Sequence, residues 1–111
     1  MKGSDVFKTA VNTLGKLAKH TLEINNLEQE QLDWLVPHQA NERIIVAIAK
    51  KISLSHDKIV ITVNKHGNTS AASIPLAFDD ANTRNIFKPG DYIMMEAFGA
   101  GFTWGSTLLR F

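Results

Sequence analysis

The segment "DWLVPHQANERI" (residues 33–44) predicts a strand that passes directly into a helix. Trp34 opens a short apolar run typical of a buried strand, and Pro37 ends that run. Asn41 is a favourable N-cap for a helix built on the apolar residues that follow. His38 therefore lies beyond the carboxyl end of a strand, where open α/β sheets bind their ligands.

The composition is that of one ordinary globular domain. The chain has 111 residues, of which 44% are hydrophobic and 21% charged, and its net charge is +1. This charge gives no reason to expect nucleic acid or a membrane as a partner. The chain has no cysteine, which excludes disulfides, thiolate metal sites and cysteine nucleophiles within it. No apolar run approaches the ~20 residues of a membrane span, and we expect a soluble, cytoplasmic protein.

The hydrophobic pattern predicts the element order α, β, α, β, α, β, β. Such alternation is typical of a layered α/β sheet with parallel neighbours and helices on both faces. The last two strands are joined by so short a loop that they must be antiparallel. Because the chain starts on a helix, we expect a first strand to be missing. The first and third predicted helices span residues 4–26 and 69–83, and the second follows the Asn41 N-cap with its apolar face at residues 44–52. The predicted strands span residues 34–36, 58–63, 92–98 and 102–111.

Three successive strand ends carry candidate chemistry. His38 follows the first strand, Asn68 follows the second, and the glycine-rich "GAG" (residues 99–101) follows the third. Alone, each has a structural reading: His38 makes an internal hydrogen bond, Asn68 caps the next helix, and the glycines make a turn. Together, an imidazole, an amide and free backbone N–H groups form the donor set that stabilises an oxyanion or enolate.

Other site types are poorly supported. The four histidines show no tight metal-ligand spacing, no carboxylate lies beside either polar residue, and "GAG" is not part of a G-x-G-x-x-G fingerprint. The basic residues near the second helix form either a solvated face or a small docking patch for an acidic partner. These basic residues are Arg43, Lys50 and Lys51, with Lys8 elsewhere in the chain.

Four motifs carry a resemblance to a known family. "LDWLVPHQANERI", "KHGNTSAASIPLA", "KPGD" and "EAFGAGFTWGSTLLRF" resemble the C-terminal half of β-ketoacyl-acyl-carrier-protein synthase III, the initiating condensing enzyme of type II fatty acid synthesis. The similarity covers essentially the whole chain. It implies that residues 1–111 form the C-terminal half of a thiolase-like fold, layered α/β/α with a mixed sheet.

The resemblance also implies roles for particular residues. The family's Cys–His–Asn triad carries over to His38 and Asn68, and its cysteine belongs to an N-terminal half that is absent here. The backbone N–H of Ala100 matches the family's second oxyanion hole. The carrier-protein-binding stretch matches Gln39, Ala40, Asn41, Glu42 and Arg43, and the basic docking surface adds Lys50, Lys51 and Lys8.

The resemblance implies acyl carrier protein and acetyl-CoA as partners, a homodimer for the full-length enzyme, and no cofactor beyond CoA and phosphopantetheine thioesters as substrates. No metal is expected. Without a cysteine, the chain alone is expected to be inactive in condensation. Another reading remains open, in which the chain is a stand-alone carrier-protein-binding module or a half-enzyme completed by another polypeptide. A polyketide-type condensing enzyme is disfavoured by "VPHQAN" and "GNTSAAS" together.

Overall fold

The computed structural model describes residues 3–39, 41–67, 72–99 and 103–111. The described part of the chain forms a helical layer on each face of a sheet, in the predicted element order except that a short helix replaces the second predicted strand. The helices are α1 (Gly3–Ile24), α2 (Glu42–Lys51), α3 (Val63–His66) and α4 (Ser73–Thr83), the strands are β1 (Trp34–Pro37), β2 (Tyr92–Gly99) and β3 (Thr103–Arg110), and 3-10 turns lie at Gln29–Gln31 and His56–Lys58.

The sheet is mixed, as predicted. β1 runs parallel to β2, with Trp34 opposite Ile93 and Pro37 opposite Glu96. β2 runs antiparallel to β3, because only a short connection joins them. The carboxyl ends of β1 and β2 therefore meet at one edge of the sheet, which we call the carboxyl edge.

Two apolar clusters hold the layers together. One lies between the sheet and the pair α1 and α2, and the other lies between the sheet and α4. Leu35 and Met94 belong to the first cluster, whereas Val36 and Ile93 belong to the second, since successive strand residues face opposite sides. A fully buried aliphatic side chain of this kind contributes about 1.5–3 kcal/mol through removal from water. The arrangement confirms the predicted α/β/α layering.

The strand predicted at residues 58–63 is wrong in extent. Only an isolated parallel bridge between Leu35 and Ile59 forms, supported by a hydrogen bond from Val60 N to Leu35 O at 2.9 Å. The chain then enters α3 at Val63. A side-chain amide oxygen, that of Gln39, accepts the N–H groups of Thr62 and Val63. Because those two donors bond to a side chain, they do not extend a strand ladder.

Gly15 lies where α1 crosses α2, and its missing side chain leaves room for a lysine. A Cβ built at Gly15 would lie 2.6 Å from Cγ of Lys51, well inside van der Waals contact. The methylene stem of Lys51 thus covers the middle of α1. Glycine weakens a helix by about 1 kcal/mol relative to alanine. The presence of Gly15 in α1 is explained by the close packing of α1 on α2 at this point.

Two helix boundaries follow the predicted local chemistry. The side chain of Asn41 caps α2 by accepting the N–H of Ile44 at 2.9 Å. Pro75 lies in the first turn of α4, where its missing N–H has no partner to lose. Within the described ranges, no helix is both long and apolar enough to cross a bilayer.

Candidate active site

His38 lies at the carboxyl edge, between β2 and the start of α4. Its backbone N–H donates to the carbonyl oxygen of Glu96 at 2.7 Å, which extends the pairing of β1 with β2 by one residue. Its side chain turns towards α4, and Nδ1 lies 2.9 Å from Oγ of Ser73. The ring is therefore attached to the protein through Nδ1. No hydrogen bond joins Nε2 to another described residue, so Nε2 is the ring nitrogen that can meet a ligand.

The imidazole of His38 is half-buried, and this burial lowers its pKa below the ordinary value of 6.5. The charged form loses hydration in this position, so the neutral form is favoured at pH 7. A neutral imidazole with a proton on the substrate-facing nitrogen is a hydrogen-bond donor to a developing oxyanion. The environment of His38 thus suits that role better than the role of a cation.

Gln39 is an interior residue, and its predicted place on a carrier-protein surface is corrected here. It is only 1% exposed. Its Nε2 donates to the carbonyl oxygens of Pro37 at 2.8 Å and Val60 at 3.1 Å. Its Oε1 accepts from the backbone N–H of Thr62 at 2.8 Å and of Val63 at 3.0 Å. All four hydrogen-bonding positions of the amide are occupied, so it has no capacity left for a partner.

The hydrogen bonds of Gln39 tie the end of β1 to the segment that leads to residue 68. Three predicted positions, Ala40, Asn68 and Ala100, lie outside the described residues. Two described segments next to these positions reach the carboxyl edge. β2 ends there at Gly99, and α4 begins there with Ser73, which contacts His38. The predicted donor set is thus represented by His38 among the described residues.

A second feature is a cavity at the amino-terminal ends of α1 and α2. Its volume is about 840 Å³. Over it, the guanidinium of Arg43 stacks on the ring of Phe7, with Cζ 5.6 Å from the ring centroid. The N-terminus of α2, capped by Asn41, adds partial positive charge at this cavity. The cavity is lined by Val6, Phe7, Lys8, Asn41, Glu42, Arg43 and Ile44.

The structure therefore brings together four of the residues predicted to bind a carrier protein, namely Lys8, Asn41, Glu42 and Arg43. Lys50 and Lys51 are exposed but lie in the last turn of α2, roughly 10 Å along the helix from the cavity. They are separate from the cavity wall.

Glu96 is a residue that the sequence did not single out. It is 0% exposed, and neither carboxylate oxygen has a hydrogen-bond partner in the described part of the chain. Burial raises its pKa from 4.5 to about 8, so the group is a neutral carboxylic acid at pH 7. The one signal in the sequence is a lone acid inside an otherwise apolar strand, "YIMMEAF".

Among the described residues, no group of three or more histidine, cysteine, aspartate or glutamate side chains is arranged to hold a metal ion.

Residues 22–111 match the family model described as the C-terminal domain of 3-oxoacyl-[acyl-carrier-protein (ACP)] synthase III. The β-ketoacyl-[acyl-carrier-protein] synthase III of Thioalkalivibrio sulfidiphilus is 61% identical over 111 residues, which is 100% of this chain and 34% of that protein. The protein of the same name from Escherichia coli K12 is 57% identical over the whole chain, which corresponds to 35% of its own length.

Solved structures give the same result. The crystal structure of 3-oxoacyl-[acyl-carrier-protein] synthase III from Aquifex aeolicus superposes with a TM-score of 0.97 at 43% identity. The match covers 100% of this chain and 36% of that one. The chain thus spans about a third of the length of the proteins it matches.

Proposed function

The chain belongs to the family of 3-oxoacyl-[acyl-carrier-protein] synthase III C-terminal domains, and from this membership we propose that it supplies two of three catalytic residues to a condensing enzyme. The enzyme joins acetyl-CoA to malonyl-acyl-carrier protein and releases carbon dioxide, giving acetoacetyl-acyl-carrier protein as the first product of fatty acid synthesis. The nucleophilic cysteine lies outside this chain, which contains none. We call this chain together with the cysteine-bearing half the complete enzyme.

The observation that carries the proposal is the state of His38. Its ring is half-buried at the carboxyl edge, is held through Nδ1 at 2.9 Å from Ser73, and has a lowered pKa. A neutral imidazole attached in this way offers Nε2 to a substrate oxygen. Among the described residues the ring is bonded through Nδ1, and it lies at the edge where α/β sheets bind ligands.

The reaction then follows from where charge develops. The cysteine thiolate first takes the acetyl group from acetyl-CoA, and CoA leaves as its thiolate, which takes a proton from solvent. The bond between the malonyl carboxylate and its α-carbon breaks, carbon dioxide leaves, and the electron pair moves onto the thioester as an enolate. The enolate carbon attacks the acetyl carbonyl, a carbon–carbon bond forms, and the cysteine thiolate is released.

His38 and Asn68 act in the decarboxylation step. As carbon dioxide leaves, negative charge builds up on the malonyl thioester oxygen. We assign Nε2–H of His38 and Nδ2–H of Asn68 as the donors to that oxygen, and the backbone N–H of Ala100 as a donor to the oxyanion on the cysteine-bound acetyl group. Each fixed donor of this kind typically contributes ~10²–10³ in rate, because it is aimed at charge that appears only in the transition state.

The cavity at the amino-terminal ends of α1 and α2 is the proposed place of carrier-protein docking. Lys8 and Arg43 outweigh the single negative charge of Glu42 in its wall, and the net positive charge suits an acidic carrier protein and its phosphopantetheine phosphate. Asn41 uses its side-chain oxygen to cap α2, so its amide nitrogen is the part that can donate to the pantetheine arm. Ala40 belongs to the same proposed segment, and Lys50 and Lys51 form an outer basic rim.

We further propose that the complete enzyme is a homodimer in the cytoplasm, with acetyl-CoA and acyl carrier protein as its partners and without a nucleic acid or membrane partner.

The proposal is tested by mixing acetyl-CoA and malonyl carrier protein with either this chain alone or the complete enzyme. The complete enzyme should form acetoacetyl carrier protein, and the chain alone should form none because it lacks a nucleophile. Product from the chain alone would contradict the proposal. Adding the cysteine-bearing half as a separate polypeptide distinguishes a half-enzyme subunit, because activity would then return without a covalent link between the halves.

A further inference from the structure

Ser73 contacts His38 and has no part in the proposed reaction as described above. It is the first residue of α4 and is 1% exposed. Its Oγ lies 2.9 Å from Nδ1 of His38 and 3.2 Å from the backbone nitrogen of Gln39. One buried hydroxyl therefore joins the side chain of His38 to the backbone of the next residue.

The direction of these two hydrogen bonds follows from the donors available. The backbone N–H of Gln39 can only donate, so Oγ accepts there. The hydroxyl has one proton of its own, and a buried hydroxyl that does not donate loses the hydrogen bond it had in water. Among the described residues, Nδ1 of His38 is the acceptor within reach of that proton.

We propose that Ser73 is a positioning residue that donates its hydroxyl proton to Nδ1 of His38 and so places the ring proton on Nε2. In a neutral imidazole only one nitrogen carries a proton, and the hydrogen bond at one nitrogen decides the state of the other. The consequence for catalysis rests on the proposed function, because only an Nε2–H can donate to the malonyl thioester oxygen.

The position of Ser73 Oγ is itself fixed from two sides. The N–H of Gln39 that it accepts belongs to a residue whose side chain is held by four hydrogen bonds. Ser73 in turn starts α4, which packs on the sheet through Ala77 and Ala81. The hydroxyl thus connects the end of β1 to the start of α4. His38 is oriented by that connection.

The test is ¹⁵N NMR of the histidine ring nitrogens in the complete enzyme at a pH where His38 is neutral. The wild-type protein should show His38 with the proton on Nε2. Ser73→Ala should change the His38 pattern towards the other tautomer or a mixture, whereas Ser73→Thr, which keeps a hydroxyl, should retain the wild-type pattern. Ser55→Ala is the matched control, because it removes a serine hydroxyl from an exposed turn and should leave His38 unchanged.

The same variants are assayed for malonyl decarboxylation. Ser73→Ala should lower kcat by about 10- to 100-fold with little change in KM, as for other residues that orient a catalytic histidine. Circular dichroism and the amide NMR spectrum check the fold of each variant. Ser73→Cys, which adds no methyl group and donates only weakly, provides an intermediate case if threonine does not fit.

The outcomes separate the two proposals. An unchanged Nε2–H tautomer in a folded Ser73→Ala protein would overturn the positioning role of Ser73. A changed His38 tautomer in Ser73→Ala would support that positioning role. If His38→Ala nevertheless kept full decarboxylation activity, the proposed function of His38 would be overturned.

Discussion

The adjacent ends of β1 and β2 each carry a buried polar side chain, and the two side chains differ in their hydrogen bonding. Gln39, just beyond β1, is 1% exposed and uses every hydrogen-bonding position of its amide. Glu96, near the end of β2, is 0% exposed, and its carboxyl oxygens have no partner in the described part of the chain. Burial alone therefore does not reveal the role of a polar residue. The fully hydrogen-bonded amide of Gln39 fixes the geometry of the site, whereas the unpaired carboxyl group of Glu96 makes the stability of the fold depend on pH.

The largest expected effect is the loss of the Gln39 amide. Gln39→Ala leaves the N–H groups of Thr62 and Val63 without their acceptor, and each buried donor left unpaired costs about 1–3 kcal/mol. We expect the free energy of unfolding to fall by about 3 kcal/mol or more, measured by urea denaturation of the chain. Gln31→Ala is the matched control, because Gln31 accepts one N–H, that of Glu28, at an exposed position. A Gln39 variant as stable as the Gln31 variant would contradict the structural role.

The next effect is the pH dependence caused by Glu96. Its pKa is raised from 4.5 to about 8. Between these two pH values the folded state holds a proton on Glu96 that the unfolded state has released. Stability should therefore fall as pH rises through this range, by about 1.4 kcal/mol per pH unit, or at most about 3 kcal/mol between pH 5 and 7. The lowered pKa of His38 acts with the opposite sign, because there the unfolded state holds the extra proton.

Glu96→Gln isolates the contribution of Glu96. An amide does not titrate, so the difference in unfolding free energy between wild type and variant should change steadily from pH 5 to pH 7. Urea denaturation at three pH values measures this difference, and Glu23→Gln, at an exposed position of α1, is the control. A difference that stays constant with pH would show that Glu96 ionises in the folded protein as it does in the unfolded one.

A smaller effect is expected at the exposed part of the segment after β1. Arg43→Glu reverses a charge at the cavity and removes the stacking on Phe7. In the complete enzyme, KM for malonyl carrier protein should rise by about 3- to 10-fold with kcat nearly unchanged, and the effect should shrink at high salt. Lys88→Glu, at an exposed turn away from the cavity, is the control. Equal changes in both variants would argue against docking at the cavity.

Local patterns predict α1, α2 and α4, the mixed sheet and its two covered faces, because those follow from hydrophobic period and loop length, whereas α3 is not predicted. The strand at residues 58–63 was wrong in extent, since a side chain distant in sequence, Gln39, captures its donors. The motif placed His38 correctly at a strand end. It did not reveal that Gln39 points inwards, because a polar residue at such a junction is usually exposed.

Glu96 and Ser73 were missed for a related reason. Their significance depends on what surrounds them in three dimensions: the burial that raises the pKa of Glu96 and the contact between Ser73 and Nδ1 of His38. Neither depends on spacing along the chain. The roles of Asn68 and Ala100 stay predictions.

The most direct test of the proposed function separates decarboxylation from acyl transfer. In the complete enzyme, mass spectrometry measures acetylation of the cysteine by acetyl-CoA, and release of carbon dioxide measures malonyl decarboxylation. His38→Ala and Asn68→Ala should each lower decarboxylation by ~10²–10³, because each removes a donor to the same oxygen, while the cysteine still becomes acetylated. Decarboxylation at the wild-type rate in either variant would contradict the account.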